Sequence, residues 1–301
     1  MTFMAKNLSY VYESGRKSVI ELLSAIVNKF EIGLIREYAD LLFVGLVMVI
    51  ANNDSAKCRE MAAELIKNLV SRLDSDQRRV VISHLHSWAS QQSQPQLNRV
   101  SSQVHGLIID VLQHDSLPYV ANMLEDVNAA LERSKLEFDS IAADDDEAES
   151  IDIDLEWQVP YHALVVISKV LRVFPDLALQ SDNVNWDTIV GHLFPHAWVR
   201  TASCRLLGLL FAAVPIAAPN IDLPPASPFS SLGMREVAQK LCLQLKSEHL
   251  DAPLSLQVVK NILYIGKCFC AVPVPSAKED GNKEPDGSED GLRYAAHHNR
   301  R

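Results

Sequence analysis

Glycine, proline and long apolar runs are scarce in this sequence, and each shortage argues against a class of protein. Only 11 glycines and 14 prolines occur among 301 residues, and the short alternating runs of a β-sandwich or barrel are missing. The longest apolar runs, residues 41–51 and 206–218, are shorter than the roughly 20 residues of a membrane helix. No charged start followed by an apolar stretch marks a secretory signal. We therefore expect a helical protein that does not span a membrane.

Cysteine is also sparse and odd in number. The five residues are Cys58, Cys204, Cys242, Cys268 and Cys270, and most of them lie in apolar helical patterns. This usage predicts reduced, buried thiols and an intracellular protein. Cys268 and Cys270 have a CxC spacing, but no second Cys or His pair stands at a zinc-site distance. We expect no metal site and no cofactor.

Basic residues are not in excess, because the formal net charge is -10. Residues 139–156 hold nine acidic residues and no basic one, and the apolar stretches on either side are close to neutral. A strongly basic nucleic-acid surface is therefore not predicted from composition. The acidic segment repels itself and offers little to bury, so we predict a disordered insertion. An electrostatic docking site for a basic partner is the alternative.

Apolar residues recur at spacings of three and four, which predicts amphipathic helices. Residues 34–50 are apolar almost all round, as is typical of a helix between neighbouring helices. The predicted helices are residues 16–30, 34–50, 56–73, 75–91, 95–114, 116–136, 157–174, 186–194, 199–214, 232–246 and 253–270.

Helices of this length, arranged in pairs with short polar links, predict an all-α HEAT- or armadillo-like helical-repeat solenoid, an α-α superhelix. The expected organisation is two stretches of HEAT-like helical repeats, residues 1–138 and 157–270. The acidic insertion at 139–156 lies between them, and a flexible tail occupies residues 271–301.

One segment closely matches the second helix of a HEAT repeat, in which a turn precedes a Val-Arg pair, a small residue and a leucine-rich face. It reads PHAWVRTASCRLLGLLF, residues 195–211. Val199 is expected in the core, Arg200 is expected to reach the neighbouring repeat, and Gly208 is expected to let helices approach. The alternative is that any amphipathic helix contains such residues by chance.

A weaker match covers NDSAKCREMAAELIKNLV, residues 53–70. Asp54 and Arg59 occupy the corresponding turn and helix positions, and Cys58 stands in place of valine. No acidic residue corresponds to Asp54 before Arg200, so a continuous ladder of Asp-Arg pairs between repeats stays an open question.

Histidines raise one catalytic alternative. His192 and His196 are four residues apart, the spacing of two metal ligands on one helix face, but Pro195 interrupts that helix and no Glu follows His192. His84 and His86 are two apart and are expected to point to different sides. Motifs for phosphate, dinucleotide or nucleophilic chemistry are missing from the sequence. A non-catalytic protein is the main prediction, and a helical metal-dependent hydrolase is its rival.

Four basic residues near one another in the sequence are the candidate RNA-binding patch. They are Lys67, Arg72, Arg78 and Arg79. A solvated helical face is the competing interpretation, because no exposed aromatic residues are interleaved with them for base stacking.

Three segments together resemble one known family. They are EYADLLFVGLVMVIANNDSAKCREMAAELIKNLVSRL (residues 37–73), WQVPYHALVVISKVLRVFP (residues 157–175) and HAWVRTASCRLLGLLF (residues 196–211). Their order and spacing are similar to the C-terminal part of the U3 small nucleolar RNA-associated protein 20 family, also called down-regulated in metastasis.

The resemblance implies a nucleolar, non-catalytic HEAT scaffold of the small-subunit processome that supports 18S pre-ribosomal RNA processing and small-subunit assembly. The implied partners are other processome proteins and pre-ribosomal or U3 RNA, without a membrane or a small-molecule substrate. Because family members are far longer, the chain is expected to be a fragment. A generic HEAT adaptor in transport or phosphatase regulation is the alternative with the same fold.

Overall fold

The chain is helical throughout the part that the computed structural model describes, which is residues 1–91, 93–144, 156–180, 182–193, 196–213, 231–246 and 250–271. These ranges contain no β-strand, and the all-α prediction is confirmed. The helices are α1 (Thr2–Lys6), α2 (Glu13–Lys29), α3 (Ile32–Asn52), α4 (Ala56–Arg72), α5 (Ser75–Ala89), α6 (Pro95–Leu112), α7 (Leu117–Asp144), α8 (Gln158–Val173), α9 (Pro175–Ala178), α10 (Trp186–Gly191), α11 (Ala197–Ala213), α12 (Ser231–Gln244) and α13 (Ala252–Ala271).

Short polar side chains cap the starts of α4 and α5. Ser55 accepts a hydrogen bond from the backbone N–H of Cys58 at the start of α4, and Asp74 accepts one from Gln77 at the start of α5. Pro95 is the first residue of α6, where its missing N–H leaves no bond unmade. These caps satisfy N–H groups that have no partner within the helix.

The helices stack in two layers. Helices α2, α4, α6, α8, α11 and α13 pack one on the next, and α3, α5, α7 and α10 pack in the same order in the second layer. Contacts of α3 with α4, α5 with α6, α7 with α8 and α12 with α13 join the layers. This arrangement of helix pairs side by side is a helical-repeat solenoid.

One continuous apolar core runs between the layers. Its buried side chains extend from Leu8 to Ile265, and Phe43 and Phe211 are among the largest that are fully enclosed. Cys58 and Cys204 are buried free thiols, as predicted, whereas Cys242 is exposed. No helix of the described residues is long and apolar enough to cross a membrane.

Residues 139–144, the first part of the acidic segment, belong to a helix. Helix α7 continues to Asp144, which is beyond the predicted start of the insertion at residue 139, and α7 packs against α8. An ion pair of 2.5 Å between Lys135 and Asp139, one helical turn apart, supports this extension. The rest of the predicted insertion, residues 145–155, and the predicted tail from residue 272 lie outside the described residues.

Candidate interaction surfaces

The residues of the weaker HEAT match form a polar cluster at the turn between α3 and α4. Asp54 is 2.5 Å from an Nη of Arg16, which lies on α2 in the preceding repeat. Arg59 donates to the backbone carbonyls of Asn53 and Asp54 at 2.6 and 3.1 Å. Asp54 therefore pairs with an arginine of the neighbouring repeat, while Arg59 holds its own turn.

A second pair repeats this geometry one helix later, in the other layer. Arg36 on α3 is 3.3 Å from Asp74, the residue that caps α5. Arg16 and Asp54 are 38 residues apart, and Arg36 and Asp74 have the same separation. That spacing is close to the 40 or so residues of a HEAT repeat, and it is the sequence signal that would have identified Arg16 and Arg36.

The residues of the stronger HEAT match lie between α8 and α13. Val199 is buried on α11, and Arg200 is partly exposed with its Nε enclosed and without a hydrogen-bond partner among the described residues. A Cβ on Gly208 would lie 2.2 Å from Nε2 of Gln257 and 2.8 Å from Oδ1 of Asn261. Gly208 thus leaves room for two polar side chains of the next helix in the layer.

Asn261 shows why that space matters. Its side chain is fully buried, donates to the backbone carbonyl of Cys204 at 2.8 Å and accepts from Nε2 of Gln257 at 2.9 Å. Burial also raises the pKa of the Cys204 thiol to about 12, so this thiol is protonated at neutral pH. The α11–α13 contact therefore includes a satisfied buried amide as well as apolar packing.

All four residues of the predicted basic patch have partners within the chain. Arg72 donates to the carbonyls of Val27 and Phe30 at the end of α2, and Arg78 donates to the carbonyls of Val70 and Ser71. Lys67 pairs with Glu64, and Arg79 pairs with Asp76, each three residues away on the same helix. Two of the four therefore close helix ends, and the other two lie on solvated faces.

Three further cations secure neighbouring repeats, and sequence reasoning missed them. Arg99 donates to the carbonyl of Ala51 at 2.9 Å, Arg133 to that of Ala89 at 3.1 Å, and Lys169 to that of Gly106 at 3.0 Å. The first two carbonyls belong to the last turns of α3 and α5, where the helix itself leaves them unpaired. These long-range bonds fix the stacking of one repeat on the next.

A buried group of titratable side chains lies where α5, α6 and α7 meet. Oδ1 of Asp126 is 2.7 Å from Nδ1 of His86, and its Oδ2 is 3.8 Å from Nε2 of the fully buried His105. Desolvation lowers the pKa of His105 to about 3 and raises that of Asp126 to about 6. His84, two residues before His86, contacts Asp40 instead, so His84 and His86 point in different directions.

A small recess is formed by the C-terminal half of α7 and the starts of α8 and α11. Its lining includes Glu137, Glu156, Trp157, His192 and His196, and its volume is about 30 Å³. Small-molecule sites usually enclose about 300–1,000 Å³. The recess therefore fits the head of one side chain and not a substrate.

His192 and His196 differ in environment and do not form a ligand pair. His192 is buried, with Nδ1 2.8 Å from the carbonyl of Thr188, and burial lowers its pKa. The ring of His196 stacks on Trp157 at 4.8 Å between centroids, and its Nδ1 accepts from the backbone N–H of Trp198. In the described parts of the chain no three His, Cys, Asp or Glu residues are grouped closely enough to hold a metal ion.

Two curated relatives match nearly all of the chain. U3 small nucleolar RNA-associated protein 20 of Schizosaccharomyces pombe is 30% identical over 280 residues, which is 90% of this chain and 11% of the relative. The Saccharomyces cerevisiae protein of the same name is 25% identical over 264 residues, 87% of this chain and 10% of the relative. The chain is homologous to part of the U3 small nucleolar RNA-associated protein 20 family. It thus spans about a tenth of the length of its U3 small nucleolar RNA-associated protein 20 relatives.

Other comparisons add helical-repeat neighbours. No family model matches the chain. A designed armadillo repeat protein matches with a TM-score of 0.44 and 12% identity over 88% of this chain and 99% of its own. An archaeal HEAT-like repeat protein from Thermococcus onnurineus matches with a TM-score of 0.34 and 12% identity over 83% of this chain and 97% of its own.

Proposed function

We propose that this chain is a non-catalytic HEAT-repeat scaffold segment of the small-subunit processome. In this role it supports 18S pre-ribosomal RNA processing and small-subunit assembly in the nucleolus. The observation that carries the proposal is the similarity to U3 small nucleolar RNA-associated protein 20 over nine tenths of the chain. The two-layer solenoid is consistent with it, because stacked repeats offer a long surface for many weak contacts.

The polar groups described above suit a structural role. The helix-end contacts of Arg72, Arg99 and Arg133 hold repeats together, and the small recess has no room for a substrate. Partners of this segment would be processome proteins, with pre-ribosomal or U3 RNA as a further ligand. No cofactor enters the proposal.

Co-purification tests the proposal. A tagged form of the chain is expressed in eukaryotic cells and recovered from nuclear extract at moderate salt. Enrichment of U3 RNA and processome proteins over a tag-only control is the expected result. Recovery of import or phosphatase partners without U3 RNA would replace the proposal with the generic adaptor. Stoichiometric zinc that disappears on His192→Ala would replace it with the hydrolase.

A double variant tests direct RNA contact through the basic patch. Within the described ranges Lys67 and Arg79 pair with acids on their own helices, so Lys67→Ala with Arg79→Ala removes two cations and leaves the helix ends closed. If the patch contacts RNA, ultraviolet crosslinking to U3 or pre-ribosomal RNA falls, while co-purification of proteins and circular dichroism stay unchanged. The matched control is Lys57→Ala, which removes another cation paired with an acid three residues away. Crosslinking equal to wild type would assign RNA contact to other residues.

A further inference from the structure

The recess between α7, α8 and α11 contains a buried hydrogen-bond acceptor without a donor. His192 is 3% exposed, and its Nδ1 lies 2.8 Å from the carbonyl of Thr188, so Nδ1 carries the proton and donates. Nε2 is then an unprotonated acceptor, and it has no partner among the described residues. Burial without a partner is unfavourable for such an atom. A ligand with an N–H donor would satisfy it.

Charges around the recess favour a cation. Glu137 and Glu156 line it and are exposed, whereas Lys135, which also lines it, is paired with Asp139 at 2.5 Å. Asp139, which pairs with Lys135, adds a further acidic residue beside the recess. The starts of α8 and α11 add partial positive charges of about half a unit each, which these carboxylates exceed.

Trp157 and His196 line the recess, and Trp198 lies next to Trp157 outside the lining. The indole of Trp157 is stacked with the ring of His196 at 4.8 Å and lies 6.5 Å from Trp198 at an interplanar angle of 22°. Trp198 is 60% exposed, an unusual position for so large an apolar side chain. An exposed indole is the preferred ring for stacking with a guanidinium group.

We propose that the recess and these two indoles bind an arginine in a basic segment of a partner protein. The guanidinium group donates to His192 Nε2 and to the carboxylates of Glu137 and Glu156, and the exposed indole of Trp198, next to Trp157, contacts the same basic segment. A recess of about 30 Å³ is too small for a nucleobase. The carboxylates also repel the phosphates of RNA. The inference goes beyond the scaffold role and does not depend on the identity of the larger particle.

Fluorescence anisotropy on the purified full chain tests the proposal. The probes are a short labelled peptide of alternating arginine and glycine, a matched lysine peptide and a short single-stranded RNA. The variants are Trp198→Ala and the double variant Glu137→Gln with Glu156→Gln. All three of these residues are exposed, so the substitutions leave the core intact. Circular dichroism verifies the fold of each variant.

The expected result is tighter binding of the arginine peptide than of the lysine peptide or RNA. Trp198→Ala should weaken arginine-peptide binding by about 3- to 30-fold, the range of cation–π contacts. His192→Phe should reduce the preference for arginine over lysine. The controls Phe3→Ala and Glu21→Gln remove an exposed ring and an exposed acid near the N-terminus and should change nothing.

Two results would overturn the proposal. Equal arginine-peptide affinity in wild type, Trp198→Ala and the double glutamine variant would show that the recess is not the binding site. If Trp198→Ala weakened the binding of RNA and left the binding of the arginine peptide unchanged, the indoles would be assigned to a nucleic-acid site. Because these measurements use the isolated chain, their outcome is separate from whether U3 RNA is recovered in co-purification.

Discussion

The buried carboxyl of Asp126 should make the stability of the fold decrease as pH rises, and Asp126→Asn should remove this effect. The carboxyl is 6% exposed, and its pKa is raised to about 6, mainly by burial, from an ordinary value of 3.8. The folded chain therefore holds this proton more tightly than the unfolded chain. The resulting stabilisation is fully present below pH 3.8 and is lost as pH rises through 6.

The size of the effect follows from the two pKa values. Between pH 4.5 and 7.5, ionisation of Asp126 should lower the free energy of unfolding by about 2 kcal/mol, because one pKa unit corresponds to about 1.4 kcal/mol. His86 and His105 face the two carboxyl oxygens of Asp126, and we take about 1–2 kcal/mol as the expected value. Asparagine does not ionise, and its Oδ1 can still accept from Nδ1 of His86.

Urea unfolding followed by circular dichroism at several pH values measures the effect. The difference between Asp126→Asn and wild type cancels the titration of groups that do not contact Asp126; His86 and His105, which do, are the exceptions. The free energy of unfolding of the variant minus that of wild type should increase by about 1–2 kcal/mol from pH 4.5 to 7.5. Asp76→Asn, at an exposed carboxyl that pairs with Arg79, serves as the control. A difference that stays constant with pH would refute the assignment of a buried, proton-binding Asp126.

Three further predictions use the same unfolding assay. Burial lowers the pKa of His105 to about 3, so its contribution to stability is present above its ordinary value of 6.5 and is lost as pH falls towards 3. When pH falls from 7.5 to 4.5, the free energy of unfolding of His105→Phe should therefore rise by about 2–3 kcal/mol relative to that of wild type. Arg133→Met removes donors to the carbonyl of Ala89 and to Oδ1 of Asn98 and should lower the free energy of unfolding by about 1–3 kcal/mol, whereas Arg79→Met should change it by less than about 0.5 kcal/mol. Gly208→Val should displace Gln257 and Asn261 and lower the free energy of unfolding by about 1–3 kcal/mol. Amide hydrogen exchange should become faster in α13 and stay unchanged in α3. Unchanged exchange in α13 would contradict the close packing at Gly208.

Helix positions followed from sequence because apolar spacing and capping residues are local signals. The predicted helix at 34–50 is observed as Ile32–Asn52, and the one at 56–73 as Ala56–Arg72. The short helices Thr2–Lys6 and Pro175–Ala178 were missed, since a single turn shows no periodicity. The predicted insertion at 139–156 begins within α7, because the helix continues to Asp144 and Lys135 pairs with Asp139.

The contacts between repeats could not be predicted residue by residue, although their period could. Arg72 and Phe30 are 42 residues apart, Arg133 and Ala89 are 44 apart, and Arg99 and Ala51 are 48 apart. A carbonyl at a helix end has no side-chain signature, so sequence inspection cannot identify the acceptor. The assignment of Lys67, Arg72, Arg78 and Arg79 to an RNA patch stays a prediction.

The use of cations inside the solenoid has a consequence for what its surface can bind. Arg72, Arg99 and Arg133 satisfy carbonyls that the helices leave open, so recruiting these arginines to a phosphate would expose those carbonyls. RNA binding through them would therefore destabilise the stacking of repeats. At the recess, by contrast, His192 Nε2 has no hydrogen-bond partner and the carboxylates of Glu137 and Glu156 are exposed. The groups at the recess that gain most from a new contact are thus one acceptor and two acids, which favours a basic protein segment as its partner.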